Sequence, residues 1–156
     1  MNVQASLLFR KLNSHHLCQS STAAVKMELH LKIIGFCLIV LGFVHAIFPR
    51  QFKWKQELSS LSIMNREMMY IHTFFIAFSL LLVGVLCLTS SAELIKTTLG
   101  KRISLGLGIF WIVRLYAQFF GYSSKTWRGK PFETTVHILF SIFWAYLSAI
   151  FIFIYL

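Results

Sequence analysis

Aspartate is absent from this chain, and its acids are five glutamates, Glu28, Glu57, Glu67, Glu93 and Glu133. Charged residues make up 13% of the sequence, against about 25% in ordinary soluble domains. So little charge cannot coat a globule in water, which excludes a soluble domain of the usual kind. Cysteine is scarce too: Cys18, Cys37 and Cys87 form no CxxC pair, so no disulfide framework or zinc knuckle is implied. Neither HxxxH, HExxH nor CxxCH occurs. Without a nucleophile–base pair, a carboxylate pair or a phosphate-binding loop, hydrolysis and phosphoryl transfer have no visible machinery.

What the chain has instead is apolar surface. Hydrophobic residues are 57% of the 156 and aromatic residues 16%, with 16 phenylalanines, and the mean hydropathy is +0.71. Apolar runs at 31–48, 68–88, 103–122 and 132–156 are each long enough to cross a hydrocarbon core of about 30 Å. The fold class read from this is all-α: an integral membrane four-helix bundle, up-down-up-down, with both termini on one side. Pro49 closes the first run and Pro131 opens the fourth, where its missing N–H costs little. Between the first two spans, Trp54, Leu58, Leu61 and Met64 recur at helical spacing, predicting an interfacial amphipathic helix. Trp127 and Phe132 suit an anchoring role in the loop before the fourth span. The phenylalanines read as bundle packing and lipid-facing surface rather than a cofactor box.

One membrane domain is expected over 28–156. Residues 1–27, with Arg10, Lys11, Lys26 and no acid, have the composition of a mitochondrial-type targeting peptide or of sequence upstream of a start at Met27; a disordered or dispensable tail is preferred. The formal charge is +10, from 15 Lys and Arg against the five acids. These cations are scattered between apolar runs rather than gathered on one face, so anionic lipid headgroups, and not nucleic acid, are the expected partner. Lys and Arg tie across the membrane: Arg10, Lys11, Lys26, Lys32, Lys96, Lys101 and Arg102 on the terminal side, and Arg50, Lys53, Lys55, Arg66, Lys125, Arg128 and Lys130 on the other. Leaving out the tail tips the count toward the second side as cytoplasmic. A bacterial inner membrane is taken as the setting, an organelle membrane being the alternative.

Alternating direction brings the polar residues of the spans into register. His45, His72 and His137 each fall about 6 to 8 Å inside an expected helix end at ~1.5 Å per residue. Gln118 falls at similar depth, and Arg114 about 12 Å from Tyr122. The other half of the bundle is expected to hold only Ser, Thr, Cys and Gly. A guanidinium at Arg114's depth costs about 2.5 to 3.5 kcal/mol in lipid, so it should face inward, with Glu133 or Glu67 to neutralise it. Arg114, Gln118 and Tyr122 recur at i, i+4 and i+8 with Trp111 beside them, and Glu133, His137, Ser141 and Trp144 form an equivalent stripe. The candidate site is therefore His45, His72, Trp111, Arg114, Gln118, Glu133 and His137.

Three functions fit such a layer. His45, His72 and His137 have the donor chemistry to ligate a metal ion or haem. Arg114 suits a charge clamp for a lipid headgroup, a quinone or another amphiphile, with the imidazoles as hydrogen-bond or proton partners. Alternatively the layer is structural glue in a non-catalytic accessory or scaffold subunit, whose partners are other membrane-complex subunits or further copies of itself. Transport is disfavoured, because four short spans leave little room for an alternating pathway. Whether the chain is an enzyme is left open.

The segment "LGFVHAIFPRQF", through Gly42, His45, Pro49 and Phe52, resembles the pattern that ends the first helix of DoxX-like small membrane proteins. That resemblance implies a four-helix membrane subunit and, in some relatives, association with quinone-linked redox complexes. It reaches only His45 and its neighbours. "NREMMYIHTFF" and "FWIVRLYAQFFGYSSKTWRGKPFET" lie outside it.

Overall fold

With proline confined to positions 49 and 131, nothing interrupts a backbone hydrogen-bond ladder inside the apolar runs. A computed structural model of the chain describes residues 3–121 and 130–156, with side chains from Thr22 onward. The helices are α1 (Val3–Gln51), α2 (Trp54–Glu57), α3 (Ile63–Thr89), α4 (Ser91–Lys96), α5 (Thr98–Phe120) and α6 (Pro131–Tyr155). Among the described residues four stretches are long and apolar enough to cross a bilayer: Thr22–Gln51, Ile63–Thr89, Thr98–Phe120 and Pro131–Tyr155. The chain is all-α and multi-pass, the class read from its sequence. Its outward side chains agree: Phe36, Phe74, Phe119 and Phe153 leave 57–68% of their surface uncovered, which suits acyl chains and not water.

The boundaries differ from the apolar runs for local reasons. No glycine or proline stands before Gly35, and α1 extends back from the span through the segment read as a tail, as far as Val3. It also passes through Pro49 to Gln51 instead of stopping there. α5 starts at Thr98, ahead of Gly100, Lys101 and Arg102, because the Thr97 side chain caps it, accepting from the Gly100 N–H at 2.9 Å. The expected end at Tyr122 and the anchor Trp127 lie outside the described residues. α6 opens on Pro131, as predicted.

A helix does stand between the first two spans, but α2 is a single turn. The serines account for this. The Ser59 hydroxyl donates to the Gln56 carbonyl at 2.6 Å, and Ser62 accepts from the Asn65 N–H to cap α3, so the second half of the expected amphipathic helix joins α3. Leu61 and Met64 are exposed there.

The chain divides into two units, one of residues 31–91 and one of residues 1–30 with 92–156. In the first, the second half of α1 lies antiparallel to α3. A Cβ on Gly35 would stand 2.7 Å from the Gly84 carbonyl, and one on Gly42 would stand 2.9 Å from Leu81; advancing along α1 thus means retreating along α3. Two glycines facing each other let the backbones meet, the small-residue contact that holds apolar helices together in lipid. Leu31, Ile34, Leu38 and Leu41 form a buried stripe on α1, and Ala77, Leu80, Gly84 and Cys87 form one on α3.

In the second unit α5 and α6 are antiparallel. Gly108 lies under Ile152, Trp111 stacks on Trp144, and Gln118 meets His137. The buried face of α5 runs Gly100, Ser104, Gly108, Trp111 and Gln118.

These contacts separate glycines that matter from one that does not. Gly84→Ala puts a methyl group 2.8 Å from the Gly35 carbonyl oxygen, and this overpacking should cost about 1–3 kcal/mol. Gly106→Ala meets nothing within 4 Å and should be neutral or stabilising by up to about 1 kcal/mol through helix propensity. Unfolding of the purified variants in mixed detergent, followed by circular dichroism, measures both.

Candidate functional site

Arg114 enters the α5–α6 unit about 9 Å of helix rise before Phe120, counting ~1.5 Å per residue. It is half-buried. Its Nη1 donates to Gln118 Oε1 at 3.0 Å, the one-turn spacing along α5 that the sequence offered. The guanidinium carbon lies 5.1 Å from the Trp144 ring centroid, so the indole face supplies negative quadrupole density to the cation. Trp144 stacks on Trp111 at 4.9 Å and 7° between planes, and both indoles are nearly fully buried.

His137 closes the other side, its Nε2–H donating to the Gln118 backbone carbonyl at 3.1 Å. That carbonyl belongs to the last turn of α5, where the helix leaves its own acceptors without partners. Phe119 packs edge-on against the imidazole. The Ser141 hydroxyl donates back to the His137 carbonyl at 2.8 Å.

The structure thus brings together Trp111, Arg114, Gln118 and His137 of the predicted set, and adds Trp144. Glu133, offered as counter-ion, is exposed at the start of α6; Gln118 and the Trp144 face are among the groups the guanidinium meets. Glu67 and the other two histidines belong to the other unit. There the Nδ1–H of His45 donates to the Leu41 carbonyl at 2.8 Å and the ring lies against Phe48. His72 is exposed, and its Nδ1–H donates to the Met68 carbonyl at 2.8 Å. Because α3 starts at Ile63, His72 is about 14 Å from its helix end, whereas His45 and His137 are each about 9 Å from theirs. Within neither unit do three described His, Cys, Asp or Glu residues gather closely enough to hold a metal ion.

Two further features escaped the sequence reading. Among the described residues, the indole N–H groups of Trp111 and Trp144 are buried and find no hydrogen-bond partner. A buried donor left unpaired costs about 1–3 kcal/mol. The second feature is polar residues at the opposite end of this unit, where only small side chains were expected. His30 Nδ1 and the Tyr146 hydroxyl are hydrogen bonded at 2.7 Å, and Lys96 lies 3.6 Å from Glu28. His30 stands just ahead of the apolar run that begins at Leu31, and 116 residues separate it from Tyr146, so no local pattern links them.

The chain matches no family model, no curated protein and no solved structure. Fold and composition define it as a multi-pass integral membrane protein.

Gln118→Leu removes the side-chain acceptor of Arg114 while leaving the backbone carbonyl that His137 uses. It should destabilise the α5–α6 unit by about 1.5–3 kcal/mol, the range for a hydrogen bond to a charged group. Tyr146→Phe, which removes a neutral bond inside the membrane, should cost only about 0.6 kcal/mol. Detergent unfolding of the two variants side by side tests the difference.

Proposed function

We propose that this membrane protein binds an amphiphile whose headgroup carries negative charge or carbonyl oxygen, a lipid or a quinone, at Trp111, Arg114, Gln118 and Trp144. The observation that carries the reading is that the indole N–H donors of Trp111 and Trp144 are buried and, among the described residues, without a partner, on stacked rings of which Trp144 carries the Arg114 guanidinium over its face. Indole can only donate. Oxygen acceptors arriving at this point would satisfy those donors and meet a cation already held in place by Gln118. The tail of such a ligand would lie along the exposed phenylalanines of α5 and α6. His137, held on the Gln118 backbone carbonyl, adds a further polar side chain beside it.

A second reading has an observation of its own. Arg114 with Gln118, His137 with the Gln118 carbonyl, and Ser141 with the His137 carbonyl largely satisfy one another. That favours glue between helices in an accessory or scaffold subunit, the setting to which the DoxX-like resemblance also points.

Arg114→Gln separates the readings. The protein extracted in mild detergent is expected to retain a stoichiometric amphiphile by native mass spectrometry, and the variant to hold it about tenfold to a hundredfold less tightly. Equal retention by the two proteins, or a Soret band in place of an amphiphile, would overturn the proposal. A partner protein that co-purifies equally with both would then favour the accessory subunit.

A further inference from the structure

At the end of α1 the chain reverses through one unusual residue. Lys53 adopts φ 46° and ψ 43°, the left-handed region that costs a side-chain-bearing residue about 1–2 kcal/mol. The turn is closed by the Phe52 N–H on the Phe48 carbonyl, the Lys53 N–H on the Arg50 carbonyl and the Gln56 N–H on the Lys53 carbonyl. Edge-on contact between Trp54 and Tyr70 at 5.3 Å pins it to α3.

This fold-back encloses an open groove of about 580 Å³ lined by Pro49, Arg50, Lys53, Lys55, Gln56 and Tyr70. Three cations and no acid face it. Glu57 lines instead the adjoining groove of about 420 Å³, which Lys53 also reaches. Like charges around one hollow repel each other, and a bound anion turns that repulsion into attraction. Gln56 and Tyr70 add uncharged donors. Phe52, Leu61, Ile63 and Met64, on the same connection and the first turn of α3, leave 40–71% of their surface uncovered. A free anion has no use for those side chains, whereas acyl chains do.

We propose that this groove is a second binding site, holding the phosphate of an anionic membrane lipid on Arg50, Lys53 and Lys55. Strain at Lys53 is then the conformational cost of aiming its ammonium group into the groove. The site lies wholly in the α1–α3 unit and is independent of Arg114.

The test uses the full chain in nonionic detergent, titrated by native mass spectrometry with phosphatidylglycerol, phosphatidylcholine and inorganic phosphate. Phosphatidylglycerol should bind best, and more weakly as salt rises. The triple variant Arg50→Gln, Lys53→Gln, Lys55→Gln should bind it about a hundredfold less tightly, at about fivefold per cation. Lys53→Gly keeps the left-handed turn and should lose about fivefold. Lys101→Gln with Arg102→Gln, in the other unit, should change nothing. Equal binding of phosphatidylcholine, or undiminished binding by Lys53→Gly, overturns the proposal even if the triple variant fails to fold. Inorganic phosphate binding as tightly as the lipid would overturn the lipid assignment in favour of a free-anion site. Loss of phosphatidylglycerol from Lys53→Gly with the Arg114-dependent amphiphile retained would show that the two sites stand or fall separately.

Discussion

Between its end turns a helix in hydrocarbon satisfies its backbone within itself, and lipid gives two such helices no hydrophobic reason to associate. Contact area must hold them, and contact area depends on how closely the axes approach. In the α1–α3 unit that approach is set by Gly35 and Gly84, where a Cβ on either would stand only 2.7–2.8 Å from the other's carbonyl oxygen. The leucine stripe of α1 and the stripe of α3 that ends at Cys87 follow from that register.

The α5–α6 unit uses the opposite device. Instead of small residues throughout, it places two of the largest side chains, Trp111 and Trp144, flat against each other, and seats a guanidinium on top. Lipid imposes a penalty on each polar atom it surrounds, so the polar atoms of this unit are either paired or shielded by ring faces. Among the buried side-chain atoms of the described residues, the exceptions are the two indole N–H groups and the Ser104 hydroxyl. An orphan donor beside a fixed cation is where a membrane helix pair departs from pure packing, and it is the reason for reading a binding function here.

The four spans were legible because length and hydropathy alone decide them, and Arg114 with Gln118 because one helix turn separates them. His137 was legible as a polar residue of the right helix end. The stacking of Trp111 on Trp144 was not, although both residues stood on the polar stripes, since periodicity gives a face and not its partner. His30 with Tyr146 joins the beginning of the chain to its last span, a distance that no local pattern encodes. The connection after α1 misled for a chemical reason: Trp54, Leu58, Leu61 and Met64 have helical spacing, but serine hydroxyls compete for the same backbone groups and divide the segment.

Pro49 lies inside α1 and carries no N–H, so the carbonyl one turn earlier, that of His45, lacks the donor the helix would ordinarily provide. Water can replace that donor and hydrocarbon cannot. His45 is therefore suited to a position near water or beside another donor. A single missing hydrogen on one backbone nitrogen thus marks the one point near the end of a 49-residue helix where the apolar ladder needs help from outside itself.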